Sequence, residues 1–297
     1  MDKSIKNGRS TLYSIRDLQI KCFRDIEDAS SRKHPMYSIP TYSAGLDGLM
    51  IGLHQSDLIV VAGKPGVGKS AFVHNVINHV ALENHPVLLC SPEMSKELVL
   101  LRLLSMESDV RFKRLACAEL GEKDWPRITT AAGRLCETQS HINSETPLQL
   151  SRITQMAHEL KNKNKLELLV IDSMPFIVSD DKHSNVTTID IIMTLKGLAR
   201  DLKIPVILTV PLKADAPDQT GTYPSLREME DDCIVNMADV IILLHKLKST
   251  NKKKCRVDAV VAKNRNGAQG VVSFKFYNDF VGFTEIPEKE QTNLEIN

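Results

Sequence analysis

The sequence carries almost no excess charge of either sign: 38 Lys and Arg stand against 37 Asp and Glu, a formal net charge of +1 over 297 residues. That rules out a global field drawing the chain to nucleic acid or a membrane and leaves only local basic loops for such contacts. No apolar run reaches the ~18 residues of a spanning helix, so no membrane partner is expected. No apolar core followed by a cleavage site marks a secretory leader. No CxxC pair occurs among Cys22, Cys90, Cys117, Cys136, Cys233 and Cys255. Most of these six sit in apolar runs. They are expected to be buried free thiols in a reducing, cytoplasmic compartment, in preference to metal ligands or disulfides. No internal repeat is evident. What is present, 42% apolar and 25% charged residues, is the composition of a globular chain long enough for an α/β core.

Periodicity then divides the chain. Residues 1–10 are polar and expected to be disordered. Ile15, Leu18, Cys22, Phe23 and Ile26 recur at helical spacing and predict an amphipathic helix over Ser14–Asp28. Spacing alone leaves open whether that helix packs on its own domain or on a neighbouring subunit. A polar stretch, Ala29 to Pro35, reads as a linker. The expected organisation is a tail, helix and linker over 1–37, one domain over 38–287, and a flexible tail over 288–297.

Within that domain, apolar runs and helical patterns alternate. Leu58–Ala62, Val87–Cys90, Leu168–Asp172, Pro205–Val210 and Asp239–Leu244 read as strands. Ala71–Ala81, Lys96–Ser105, Arg111–Cys136, Ser151–Lys161 and Ile189–Leu202 read as helical. Such alternation predicts a mainly parallel central sheet with helices on both faces. The tail changes character: Cys255–Ala262 and Val271–Tyr277 flank Asn266-Gly267 and read as antiparallel strands.

Gly63-Lys64-Pro65-Gly66-Val67-Gly68-Lys69-Ser70 matches G-x-x-x-x-G-K-[ST] in full, and Ala71 follows. It falls after an apolar strand and before a helix, where a phosphate-binding loop must lie. Glycines turn backbone N–H groups toward the phosphates, and the helix N-terminus adds its dipole. Lys69 can reach the β- and γ-phosphates of ATP, and Ser70 can ligate Mg²⁺. Asp172 ends the run Leu168-Leu-Val-Ile-Asp172 and supplies a second carboxylate for Mg²⁺. Glu93 closely follows the second strand. It is a candidate base, or simply an acid near the next helix N-terminus.

Together these residues resemble the RecA-like C-terminal motor domain of bacterial DnaB-type replicative DNA helicases. The likeness runs from about Ser38 to Glu285. Ser38-Ile-Pro-Thr-Tyr-Ser-Ala-Gly-Leu-Asp-Gly-Leu49 resembles the entry into that domain. Ser91-Pro-Glu-Met-Ser95 is similar to the family's Ser-x-Glu-Met-Ser, which implies that Glu93 is the catalytic base. Leu195-Lys-Gly-Leu-Ala-Arg-Asp-Leu-Lys-Ile-Pro-Val206 follows the helix and fourth strand. Lys263-Asn-Arg-Asn-Gly267 matches Lys-x-Arg-Asn-Gly, which implies that Lys263 and Arg265 reach a neighbouring subunit's ATP.

The resemblance therefore implies a homo-oligomer, a hexameric ring, that hydrolyses ATP and translocates on single-stranded DNA in replication. It implies docking of the N-terminal helix on the adjacent subunit. It also implies a helicase loader or other replication protein as a partner. Two channel loops, by position about Met174–Thr188 and Lys213–Glu230, carry the family's DNA contacts. Lys182, His183, Lys213 and Arg227 are the candidates there, gripping phosphates without reading bases.

Four departures accompany the likeness, one being Asp172-Ser173 where the family has Asp-Tyr. Val210-Pro211-Leu212 stands where the family has Ser-Gln-Leu, so the γ-phosphate-sensing Gln is missing. Arg227-Glu-Met-Glu-Asp-Asp232 places more acid beside the expected channel. The family's globular N-terminal domain has no counterpart before the linker. The alternatives are a non-unwinding ATP-dependent assembly factor or scaffold on the same fold, and a recombinase-like filament.

Overall fold

A computed structural model of the chain describes residues 14–32, 36–41, 43–180, 186–213, 223–247 and 254–287. It divides into two units, Met1–Ser38 and Ile39–Asn297. In the first, α1 (Ile15–Arg32) carries Ile15, Leu18, Ile20, Phe23 and Ile26 exposed. The segments 1–10 and 288–297 lie outside the described residues.

The second unit alternates as the sequence predicts. After β1 (Ser38–Ile39) come α2 (Ala44–Met50), β2 (Leu53–His54), β3 (Leu58–Gly63), α3 (Lys69–Leu82), β4 (Val87–Cys90) and α4 (Lys96–Ser108). Then follow α5 (Phe112–Ala116), α6 (Asp124–Glu137), β5 (His141–Asn143), β6 (Leu148–Gln149), α7 (Leu150–Asn162), β7 (Leu168–Ile171), β8 (Ile177–Val178) and α8 (Thr188–Leu202). The chain closes with β9 (Val206–Pro211), α9 (Asp232–Met237), β10 (Val240–Lys246), β11 (Lys254–Asn264), β12 (Gly270–Tyr277) and β13 (Gly282–Glu285).

Nine of the described strands form one sheet in the order β13-β12-β11-β10-β3-β9-β7-β4-β5. From β10 to β5 every pairing is parallel; β11, β12 and β13 are added antiparallel. Because side chains alternate along a strand, β3 feeds two cores. Ile59 and Val61 pack with Val73 and Ile77 of α3 and Val99 of α4. Leu58, Val60 and Ala62 pack with Ile153 of α7 and Leu195 and Leu198 of α8. A strand buried on both faces reads as a continuous apolar run, which is why β3, β7 and β9 were legible.

Three expectations are corrected. The stretch from Ala29, read as linker, continues α1 as helix through Arg32. The helical region 111–136 is two helices, parted where Ala118 takes φ +53°. The Asp124 carboxylate accepts from the Gly121 N–H at 2.8 Å and pairs with Arg114 at 2.6 Å, fixing the break. The cysteines are free, but only Cys90 and Cys255 are buried; Cys22, Cys117 and Cys136 are exposed and Cys233 is half-buried. Apolar neighbours in a helical segment share its chain without sharing its face. Among the described residues no cluster of His, Cys, Asp or Glu could hold a metal by itself, and no helix is long and apolar enough to cross a membrane.

Candidate nucleotide-binding site

The parallel strands β3, β9, β7 and β4 are neighbours, and their C-terminal ends share one rim of the sheet. The loop 63–70 leaves β3 there and enters α3. Gly66 (φ +75°) and Gly68 (φ +106°) lie in the left-handed region, which glycine enters at little cost. A Cβ on Gly66 would meet nothing within 4 Å, so the loop faces open space. A Cβ on Gly68 would come within 3.3 Å of the Phe283 ring, so the antiparallel extension backs the loop.

Lys69 Nζ donates to the carbonyls of Gly63 (2.8 Å) and Lys64 (3.4 Å), folded over its own loop. Burial pushes this ammonium below its ordinary value, while the carboxylates of Asp172 and Glu93 pull it back. Asp172 and Glu93 thus act on Lys69 from the ends of β7 and β4. The N-cap of α4 is Ser95, whose side chain accepts from the Leu98 N–H; Glu93 precedes it, exposed to solvent.

Asp172 is almost wholly buried at 1% exposure. Its backbone N–H donates to the Cys90 carbonyl at 2.9 Å, and its Oδ1 accepts from the Thr209 hydroxyl at 2.7 Å. Its Oδ2 has no hydrogen-bond partner, nor have both ring nitrogens of His74 or Nε of Arg102. Burial lowers the Arg102 value, opposed by Asp172 and Glu93, so this guanidinium belongs to the same field. Open glycine loop, folded-back lysine and unpaired buried carboxylate oxygen fit a nucleotide triphosphate with Mg²⁺: Lys69, Ser70 and the loop N–H groups would hold phosphates, and Ser70 and Asp172 the cation. His74, Arg102 and Thr209 were missed in the sequence. A His or Thr in an apolar run gives no signal until its neighbours are known.

Lys263 and Arg265 lie elsewhere. Lys263 Nζ donates to the carbonyls of Val235 (2.6 Å), Asn236 (3.2 Å) and Ala238 (2.7 Å), closing the C-terminal end of α9. Arg265 donates to Asp239 Oδ1 at 3.1 Å and to the Asn236 carbonyl at 3.0 Å. Asp239 accepts from the Leu58 N–H at 2.8 Å, at the start of β3. The phosphate loop begins at the other end of that strand, roughly 17 Å away by the rise of a parallel strand.

The sequence pattern of the DnaB-like helicase C-terminal domain matches residues 38–285. The chain belongs to that family. It is 30% identical over 295 residues to the replicative DNA helicase DnaC of Bacillus subtilis, covering 95% of this chain and 64% of that protein. It is 30% identical over 294 residues to the replicative DNA helicase DnaB of Geobacillus stearothermophilus, with the same coverage. The chain therefore spans just under two thirds of the length of these relatives. Among solved structures, an ATPase domain superposes with a TM-score of 0.83 at 22% identity, covering 92% of this chain and 99% of that one. A DnaB-like replicative helicase, described with its interactions with primase, gives 0.80 at 22% identity, covering 93% and 68%. These likenesses establish the RecA-like fold.

Of the family's expected channel residues, Lys182 and His183 lie outside the described residues. Lys213 and Arg227 are exposed at the two ends of the second loop. Those ends are tied together: Leu212 bridges Met229, and the Lys213 N–H donates to the Glu228 carbonyl at 3.0 Å. Pro211, in the place of the sensing Gln, stands in register with Gly63.

Proposed function

We propose that this chain is an ATP-driven DNA helicase motor that works as a closed homo-oligomer, a hexameric ring, with each Mg-ATP bound between two copies. Placement of Arg265 carries this reading. It sits at the opposite end of β3 from its own phosphate loop, so the phosphates it can serve are those of a neighbouring copy. In such a site Lys69 and the loop N–H groups bind the phosphates, and Ser70 and Asp172 hold the cation. Bound Mg²⁺ supplies charge neutralisation at the phosphate oxygens. Glu93 accepts a proton from the attacking water, and its exposure on the shared rim leaves it free to do so. Lys263 and Arg265 of the next copy neutralise charge on the transferring phosphoryl group.

DNA passes Lys213 and Arg227, and Lys182 and His183 on the other loop, through phosphate contacts that make binding to single strands largely indifferent to sequence. The apolar face of α1 docks on the adjacent copy, and a loader or other replication protein delivers the ring to DNA. The relatives' names favour this reading over a non-unwinding scaffold. Steady-state ATP turnover with and without single-stranded DNA tests it. Turnover stimulated by DNA, with strand separation on a forked duplex, is the expected result; slow turnover indifferent to DNA contradicts it.

A further inference from the structure

His74 is a polar residue in a place where an apolar one would serve the packing. It follows Ser70 by four residues and so shares its face of α3. Its side chain is wholly buried, and neither ring nitrogen has a hydrogen-bond partner. The group it faces is Asp172: Nε2 lies 4.0 Å from Oδ2, which is itself unpaired, while Oδ1 is already held by Thr209. Buried polar groups are ordinarily paired. Here a buried donor and a buried acceptor, each without a partner, face one another just beyond bonding distance. Bonds in catalytic sites are commonly long before the ligand arrives and tighten in the complex.

We propose that His74 is the positioning residue of Asp172, its Nε2–H closing on Oδ2 in the nucleotide complex so that the carboxylate is held at both oxygens. This rests on the reading of Asp172 as the cation-binding carboxylate. A neutral imidazole carries one N–H, and the Nε2–H tautomer directs it at Oδ2. Two neutral donors leave the carboxylate its full negative charge while fixing its plane, as partners behind a metal ligand do. Arg102, whose Nε is also unpaired, adds positive charge to the same pocket without supplying that second neutral donor.

The test reads metal affinity apart from turnover. Mn²⁺, which takes the same oxygen ligands as Mg²⁺, is titrated into the protein with ADP and followed by electron paramagnetic resonance. Calorimetry of ADP binding in a chelator is the control. His74→Leu keeps the volume and loses the donor; it should weaken Mn²⁺ by about 10-fold or more and leave metal-free ADP binding unchanged. His74→Gln restores an N–H and should recover most of the affinity. Thr209→Val removes the donor on the other oxygen and should weaken Mn²⁺ comparably, which keeps the proposal testable should His74→Leu not fold. Wild-type Mn²⁺ affinity in His74→Leu or in Thr209→Val, or a His74→Gln protein as weak as His74→Leu, would overturn it. A wild-type protein that binds ADP but holds no Mn²⁺ would instead overturn the cation role of Asp172, and the proposal with it.

Discussion

Arg265 pairs with Asp239 at 3.1 Å, and Asp239 in turn accepts the N–H of Leu58, the first residue of the strand that ends in the phosphate loop. One carboxylate thus holds both the arginine and the base of its own β3. With Arg265→Ala, ATP should still bind, because the loop 63–70 is untouched, but turnover should fall by about 10³-fold or more. Nucleotide binding by fluorescence and turnover by phosphate release separate the two effects.

Pro211 lies beside Gly63, and the next residue, Leu212, donates its N–H to the Gly63 carbonyl at 3.3 Å. Two residues on, Lys213 is tied to Glu228 across the second loop. Pro211 has no N–H and no side-chain polar group with which to report on a phosphate. Pro211→Gln should therefore raise the factor by which single-stranded DNA stimulates hydrolysis, leaving turnover without DNA near its wild-type value. An unchanged factor would show that this position does not carry the signal.

On α1, Ile15, Leu18, Ile20, Phe23 and Ile26 are exposed apolar side chains on an 18-residue helix. Large exposed apolar groups gathered on one element mark an interaction surface. Phe23→Asp should shift the protein toward smaller species in analytical ultracentrifugation while ADP affinity is unchanged. Full retention of the oligomer would remove α1 from the interface.

Burial holds the His74 imidazole below the ordinary histidine value; the Asp172 charge opposes this and the Arg102 charge reinforces it. In the unfolded chain the ring protonates near pH 6.5; in the folded protein it does so only at lower pH. Between those points the unfolded state binds more protons, so stability falls as pH drops below about 6.5 and stops falling once the folded ring is protonated too. Thermal melts at about pH 7.5 and about pH 5 should show a larger loss of Tm for wild type than for His74→Leu. Equal losses would mean that the ring does not titrate as its burial requires.

The phosphate loop was legible because its chemistry is local: eight consecutive residues, flanked by a buried strand and a helix, declare themselves without tertiary contacts. The parallel strands followed from continuous apolar runs, though not their order in the sheet, and the antiparallel ending from two segments flanking Asn266-Gly267. β5 (His141–Asn143) and β13 (Gly282–Glu285) left no such trace: they are the edge strands of the sheet, each with a single large apolar residue, and lack the continuous apolar run that marks the equally short β4 and β7. The break between α5 and α6 depends on Asp124 reaching back to Gly121 and Arg114, a contact that spacing does not reveal. His74 and Thr209 were invisible for the same reason. Each is unremarkable in its own segment; the packing of α3 on the sheet brings His74 to Asp172, and the neighbouring strand β9 brings Thr209. The exposed cysteines show the converse: apolar neighbours in sequence do not fix which side of a helix faces water.

The most direct measurement mixes two inactive variants. Lys69→Ala lacks a working phosphate loop but keeps Arg265; Arg265→Ala keeps the loop and lacks the arginine. If each nucleotide site is shared between copies, some interfaces in a mixed ring join an intact loop to an intact arginine. ATP turnover should then reappear on mixing, to a fraction of the wild-type rate. A mixture as inactive as its two components, under conditions where subunit exchange is shown to occur, would contradict a site completed by the neighbouring copy.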